Sequence, residues 1–304
     1  MSDRYEIRKS IGKGGLSEIF LVYDKESKLN VVIKMLNLKL NSAHTGLEHN
    51  YFLREVEVLR QLRHIGIVKL FPIYTPESST GTTAHYRGNY NIEGKYKGRM
   101  YLVEEYLPSK PLSNNKRQLE ISQMSSGWKV ELIYRILTIV KYVHDNNWAH
   151  CDLKPSNIMF REDRIHYQPC PVLIDFGSAS TIGKYDTHIP TESGRYSAPE
   201  LRHFVNSKST RDRATIKPAM LDVYSLGVIM YEILSSNVFT PDVGRFKRLI
   251  NSADISNRTE KGLIKLIKQM TEKNPNARPS LDDVIELLDV HLFPPPRTQG
   301  YDGA

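Results

Sequence analysis

Three short stretches set chemically capable side chains at close spacing. The run His150-Cys151-Asp152-Leu153-Lys154-Pro155-Ser156-Asn157 places a carboxylate, an ammonium and a carboxamide almost side by side. Asp152 can accept a proton from an attacking hydroxyl, and Lys154 can neutralise a moving phosphoryl group. The carboxamide oxygen of Asn157 suits a hard cation such as Mg²⁺. In Val172-Leu173-Ile174-Asp175-Phe176-Gly177 an apolar run ends in an acid followed by glycine, a position suited to a metal ligand over phosphates. Ile11-Gly12-Lys13-Gly14-Gly15-Leu16-Ser17-Glu18-Ile19 is glycine-rich, and glycines let backbone N–H groups come close to anionic oxygens. Each Asp taken alone reads as a turn or helix-cap residue. Their order, with the glycine loop upstream, favours chemistry.

These groups need rigid elements to hold them. Gly12 and Gly14 fill the first two places of a GxGxxG pattern, and Ser17 stands at the third. A dinucleotide site would require a helix next, whereas Glu18–Asp24 reads as a strand, which excludes that reading. Lys34 closes the strand-like Val31–Lys34, whose apolar neighbours would bury the lysine stem. A buried ammonium needs a carboxylate. A helix expected around Tyr51–Leu62 offers one, because Glu55 falls within the apolar stripe of Phe52, Val56 and Leu59. Glu57 lies off that stripe and Glu48 precedes the expected helix, so the economical pair is Lys34–Glu55.

The wider pattern is strand-rich to about residue 100, with a further strand at Tyr101–Leu107, and helical afterwards. Helices are expected at Val130–His144 and at Asp222–Leu234, the latter apolar almost all round, with two more towards the carboxyl end. The two parts meet near Leu107–Ser109, which makes the fold class α+β. Residues 75–99 form a long polar stretch without clear periodicity, and the tail after residue 293 has none. A chain of 304 residues exceeds one ordinary core, which predicts two lobes or two domains. Cys151 and Cys170 make neither a disulfide framework nor a zinc spacing, and no apolar run approaches a membrane span. The start lacks a signal-peptide core, so a soluble, cytoplasmic protein is expected. Net charge is +8, with a denser basic stretch from Arg202 to Lys217. Without interleaved aromatic residues this reads as a solvated face, and no nucleic-acid partner is expected.

In chain order these stretches resemble a eukaryotic-type (Hanks-type) serine/threonine protein kinase over about residues 5–293. The likeness rests on the glycine loop, Lys34 in Val-Val-Ile-Lys, Glu55, the Glu104-Glu105-Tyr106-Leu107 hinge, His150–Asn157, Asp175–Gly177, Ser197–Glu200, Asp222 and Arg278. It implies a bilobal kinase-like fold, with an amino-terminal lobe at 1–106 carrying an insertion at about 75–99, a carboxy-terminal lobe at 107–293 and a tail at 294–304. It implies ATP and Mg²⁺ as cofactors. Ile11, Gly12, Lys13, Gly14, Gly15, Leu16, Ser17 and Ile19 would cover the nucleotide. Lys34, positioned by Glu55, would hold its α and β phosphates, and backbone groups of Glu105 and Leu107 would bind adenine. Asp152 would be the catalytic base and Lys154 a γ-phosphate contact, with Asn157 and Asp175 as the metal ligands. Glu200 and Arg278 would form a structural ion pair, and Asp222 would brace the catalytic loop. Lys154 and Ser193 resemble the serine/threonine class, so the expected partner is a protein with a Ser or Thr acceptor. The basic stretch adds the hypothesis of acidic substrates.

Four positions depart from the family pattern: Ser17 for the third glycine, Val32 for the usual alanine, Glu104 before the hinge, and Cys151 for the usual arginine. A carboxylate at 104 needs a partner, with Lys34 the candidate, or a raised pKa. Cysteine at 151 cannot pair with a phosphorylated activation segment, where Ser178, Ser180, Thr181, Thr187 and Thr191 are candidate autophosphorylation sites. Competing readings are a pseudokinase binding module and a small-molecule phosphotransferase.

Overall fold

The amino-terminal apolar runs pair into one antiparallel sheet. In the computed structural model, residues 4–13, 17–39, 46–71, 99–162, 169–184, 194–207, 216–236 and 257–292 are described. The sheet contains β1 (Tyr5–Lys13), β2 (Ser17–Asp24), β3 (Leu29–Lys39), β4 (Leu70–Phe71) and β5 (Arg99–Glu105) in the order β1-β2-β3-β5-β4. Gly12 and Lys13 at the end of β1 pair with Ile19 and Glu18 at the start of β2. Gly14, Gly15 and Leu16 lie outside the described residues, as do most of the 75–99 stretch, Ser193, residues 208–215 and the tail.

Register decides which side chains reach the site. Directly opposed residues in an antiparallel pair share a face. Val32 opposes Glu104 and Lys34 opposes Leu102, so all four project from the same side of the sheet. The opposite side holds Phe20, Val22, Val31, Ile33, Met35, Tyr101 and Val103, a self-contained apolar cluster. This two-faced pattern follows from the period of two along each strand. The sequence reading ended the third strand at Lys34, whereas β3 runs on to Lys39. Lys34 is thus gripped by strand pairing on both sides.

Helix α1 (Gly46–Gln61) begins five residues before the expected start, with Glu48 inside it. Its buried stripe of Phe52, Val56, Val58 and Leu59 joins Leu36 and Leu102 from the sheet in the main core. The carboxy-terminal part contains α2 (Asn115–Ser122), α3 (Ser126–Asp145), α4 (Pro199–Ser207), α5 (Pro218–Ser235), α6 (Asn257–Met270) and α7 (Leu281–Leu292). Helix α5 is buried on nearly every side, as its composition demands. At Gly227 a methyl would stand 2.8 Å from Met270 Cβ, so glycine lets α5 and α6 come close.

Two small ladders bring the chemical stretches together. Strands β6 (Trp148–Ala149) and β9 (Ser180–Thr181) pair as Ala149 with Ser180. Strands β7 (Ile158–Glu162) and β8 (Pro169–Leu173) pair as Ile158 with Leu173. The loop at 150–157 and the turn at 174–179 therefore each have both ends tied to the other. Among the described residues no helix is long and apolar enough to cross a membrane.

Candidate active site

The loop carrying Asp152 is held from beneath by a buried acid. Asp222 on α5 is fully buried, and its two carboxylate oxygens accept from the backbone N–H groups of His150 and Cys151, both at 2.8 Å. His144 Nε2 adds a third contact at 2.9 Å. Cys151 adopts φ +62°, a left-handed conformation that side-chain-bearing residues enter at a cost. The two charge-assisted hydrogen bonds from Asp222 help to offset it. Asp222 thus braces the loop, as the family resemblance implied.

His150 joins this loop to the second acidic stretch. The Asp152 N–H donates to His150 Nδ1 at 3.3 Å. That leaves Nε2 as the protonated ring nitrogen, donating to the carbonyl of Ile174 at 3.1 Å. The imidazole also packs on the Phe176 ring at 4.7 Å between centroids. Its role is structural. Cys151 is buried, and its Sγ lies 3.6 Å from the Ala149 carbonyl, a packed thiol rather than a reactive one.

Asp152, Lys154 and Asn157 converge. Lys154 Nζ lies 2.7 Å from Asp152 Oδ2. Asn157 Nδ2 donates to the Asp152 carbonyl at 2.9 Å and approaches Oδ2 at 3.4 Å. Since the amide nitrogen of Asn157 is spent on Asp152, its oxygen is the atom left to serve a cation. Lys34 reaches the same region from the sheet, with Nζ 2.6 Å from Glu55 Oε2 and 2.7 Å from Asp175 Oδ1. The pair with Glu55 expected from periodicity is present. The second carboxylate on Lys34 comes from a residue 141 positions away.

One ammonium and several acids make an unequal cluster. Burial disfavours the charged form of Lys34, but the adjacent Asp175 and Glu55 carboxylates win and hold its pKa well above the ordinary lysine value. Burial also pushes Asp175 up, yet Lys34 outweighs it and Asp175 falls to about 2. Its side chain keeps 29% exposure, so it is the acid that can best stay ionised. Glu55 is fully buried and its pKa is raised, by desolvation first, against the pull of Lys34. Glu104, also buried, is pushed up to about 8 by desolvation and then by Glu55. Of the two expectations for Glu104, pairing with Lys34 or a raised pKa, the second holds. Lys34 is taken by Glu55 and Asp175, and Glu104 Oε1 has no hydrogen-bond partner. A buried acid without a cation of its own keeps its proton instead.

Tyr51 was not among the sequence candidates. Its hydroxyl donates to Asp175 Oδ1 at 3.0 Å. The only signal was its place on α1, one turn before Glu55 and on the same face. Two proposed phosphorylation sites need correction: Ser178 and Ser180 are 1% and 0% exposed, so neither hydroxyl can reach an active site in this arrangement. Thr187 and Thr191 lie outside the described residues. Further out, Arg278 makes a two-pronged pair with Glu200 at 2.6 and 2.8 Å.

An antiparallel sheet whose lysine meets a helix-borne glutamate, above a helical part carrying Asp152, Asn157 and Asp175, is the two-lobed protein kinase architecture. The protein kinase domain pattern matches residues 5–288, and the chain belongs to that family. Calcium-dependent protein kinase 6 of Plasmodium berghei (strain Anka) is 29% identical over 287 residues, covering 90% of this chain and 16% of that protein. Serine/threonine-protein kinase PknD of Chlamydia pneumoniae is 26% identical over 245 residues, 77% of this chain and 24% of that protein. Aurora kinase of Yarrowia lipolytica (strain CLIB 122 / E 150) is 27% identical over 301 residues, 96% of this chain and 68% of that protein. The chain thus spans less than a quarter of the first two relatives.

Proposed function

We propose that this protein transfers the γ-phosphoryl group of ATP, with Mg²⁺, to a Ser or Thr hydroxyl of a protein substrate. The observation that carries the reading is the joint assembly of Lys34 with Glu55 and Asp175, and of Lys154 and Asn157 with Asp152. The donor set fits the metal: a carboxylate held ionised at Asp175 and a carboxamide oxygen at Asn157 are hard ligands, and Mg²⁺ takes few protein ligands beside phosphates. When bound, Mg²⁺ would neutralise phosphate charge. The glycine-rich stretch from Ile11 to Ile19, including Gly12, Lys13, Gly14, Gly15, Leu16 and Ser17, would cover ATP, and the backbone of Glu105 and Leu107 would hold the adenine. The lobe boundary proposed is 106/107.

Lys34, kept charged by its two acids, would steady the α and β phosphates. Asp152 would accept the proton of the acceptor hydroxyl as that oxygen forms its bond to phosphorus and the bond to the departing ADP oxygen breaks. Lys154, already beside Asp152, would offset the charge that collects on the transferring group. The serine/threonine class is supported by Lys154 and by the printed name of the chlamydial relative. An acidic preference is supported by Arg202, Lys217 and the net charge of +8. Arg195 adds nothing to it, because its guanidinium is taken by Glu232 at 2.5 Å.

Single-turnover phosphorylation tests the reading. Asp152→Asn should retain Mg·ATP binding and lose about 10²–10⁴-fold in rate, the usual range for a general base. Lys34→Met and Asp175→Asn should be at least as damaging, because positioning and charge stabilisation carry the larger share. Harm confined to Asp152→Asn would overturn this division. Nucleotide binding without any transfer by the parent protein would instead support the binding-module alternative.

A further inference from the structure

Tyr51 stands where two parts of the site meet, and its contacts cover both. It lies one helical turn before Glu55, so the same face of α1 that sends Glu55 to Lys34 sends Tyr51 towards the Asp175–Gly177 turn. Its hydroxyl donates to Asp175 Oδ1 at 3.0 Å, the oxygen that also receives Lys34 Nζ at 2.7 Å. Two donors on one oxygen define the rotation of the carboxylate, whereas one donor leaves it a swivel. The Lys34 ammonium also lies 5.9 Å from the centre of the Tyr51 ring, within reach of a cation–π attraction.

The ring itself is seated on glycine. A Cβ added to Gly177 would lie 2.1 Å from Tyr51 Cε1 and 2.2 Å from Cζ, far inside contact distance. No other residue at 177 fits without displacing the ring, so the aromatic side chain and the glycine are matched in shape. The ring occupies the space directly above the turn in which Asp175 holds φ +67°. A non-glycine residue in that region is strained and persists only when its surroundings over-determine it. Tyr51 supplies part of that surrounding from α1. The hydroxyl keeps its proton: burial first, then the Asp175 charge, hold its pKa well above the ordinary tyrosine value.

We propose that Tyr51 is a positioning residue for phosphoryl transfer: it clamps α1 onto the Asp175–Gly177 turn and orients the Asp175 carboxylate towards its metal–nucleotide partner. The proposal rests on the kinase reading above. It assigns the clamp to a side chain of the protein itself, acting before any modification of the chain.

Tyr51→Phe keeps the ring on Gly177 and removes only the hydroxyl, while Tyr51→Leu removes both contacts. The measurement is equilibrium binding of a fluorescent ADP analogue with EDTA and with saturating Mg²⁺, together with hydrogen exchange along α1. A hydrogen bond to a charged group supports a loss of roughly tenfold. For Tyr51→Phe, binding in EDTA should match the parent within about twofold, while the gain on adding Mg²⁺ should shrink about tenfold. Exchange protection of α1 should be close to the parent in Tyr51→Phe and clearly reduced in Tyr51→Leu. A variant that merely loosens the fold would weaken binding in EDTA and in Mg²⁺ alike, and that result would overturn the proposal. So would a Tyr51→Phe protein whose Mg²⁺-dependent gain equals that of the parent. If the parent itself shows no Mg²⁺-dependent gain, the kinase reading fails, which the parent control alone reveals.

Discussion

Replacing Glu104 with glutamine should stabilise the protein, and by more as the pH rises. Glu104 feels the charges of Glu55 on α1, Lys34 on β3, Asp175 before its turn, and its neighbour Glu105. The one ammonium in this group is committed to Glu55 and Asp175, so Glu104 Oε1 is left without a partner. Desolvation, then the charge of Glu55, lifts the Glu104 pKa from 4.5 to about 8. Below pH 4.5 the carboxyl is protonated in both folded and unfolded chains and costs nothing. Between 4.5 and about 8 the unfolded chain ionises and the folded one does not, so stability falls with rising pH and then levels off. At about 1.4 kcal/mol per pH unit, the penalty at pH 7 is roughly 3 kcal/mol. A carboxamide of the same shape does not ionise and carries no such penalty. Urea unfolding of parent and Glu104→Gln between pH 5.5 and 7.5 should show the gap between them widening by about 2–3 kcal/mol in favour of the variant. A gap independent of pH would refute the reasoning. A gap favouring the parent at high pH would show Glu104 ionised and paired with Lys34 after all.

Two further predictions concern the scaffold and its regulation. Arg278 has a fully buried side chain that binds Glu200 and the carbonyls of Glu272 and Met220, so Arg278→Ala should cost about 3–5 kcal/mol in urea unfolding. A loss under about 1 kcal/mol would mean that the pair behaves like an exposed one. Phosphatase treatment should leave activity within about twofold, because Cys151 offers no charge for the phosphate-to-arginine bonds through which such switches act. Near-complete loss would show that another cation does this.

Much of the site was legible because its logic is local. The strand runs, the apolar stripe of α1 with Glu55 inside it and the all-round apolar α5 follow from periods of two and 3.6. Lys34 and Glu55 could be paired from those patterns, since each sits at a buried place that a lone charge cannot occupy. The close grouping of Asp152, Lys154 and Asn157 likewise lies within one short loop. Asp222 and Arg278 were placed by family resemblance, and the structure supplied their partners.

What tertiary structure alone decided is how the limited positive charge is shared. The family pattern left Lys34 as a candidate partner for Glu104; register and loop conformation gave it to Asp175, far along the chain. The choice depends on left-handed backbone at Cys151 and Asp175 and on the β6–β9 and β7–β8 ladders, none of which side-chain periodicity encodes. The contact of Tyr51 with Gly177 is of the same kind, a fit between two surfaces that meet only after the lobes pack. The amino-acid order by itself determined the elements and the chemistry available to them. Packing determined which acid stays ionised, because one buried ammonium can balance only one net charge.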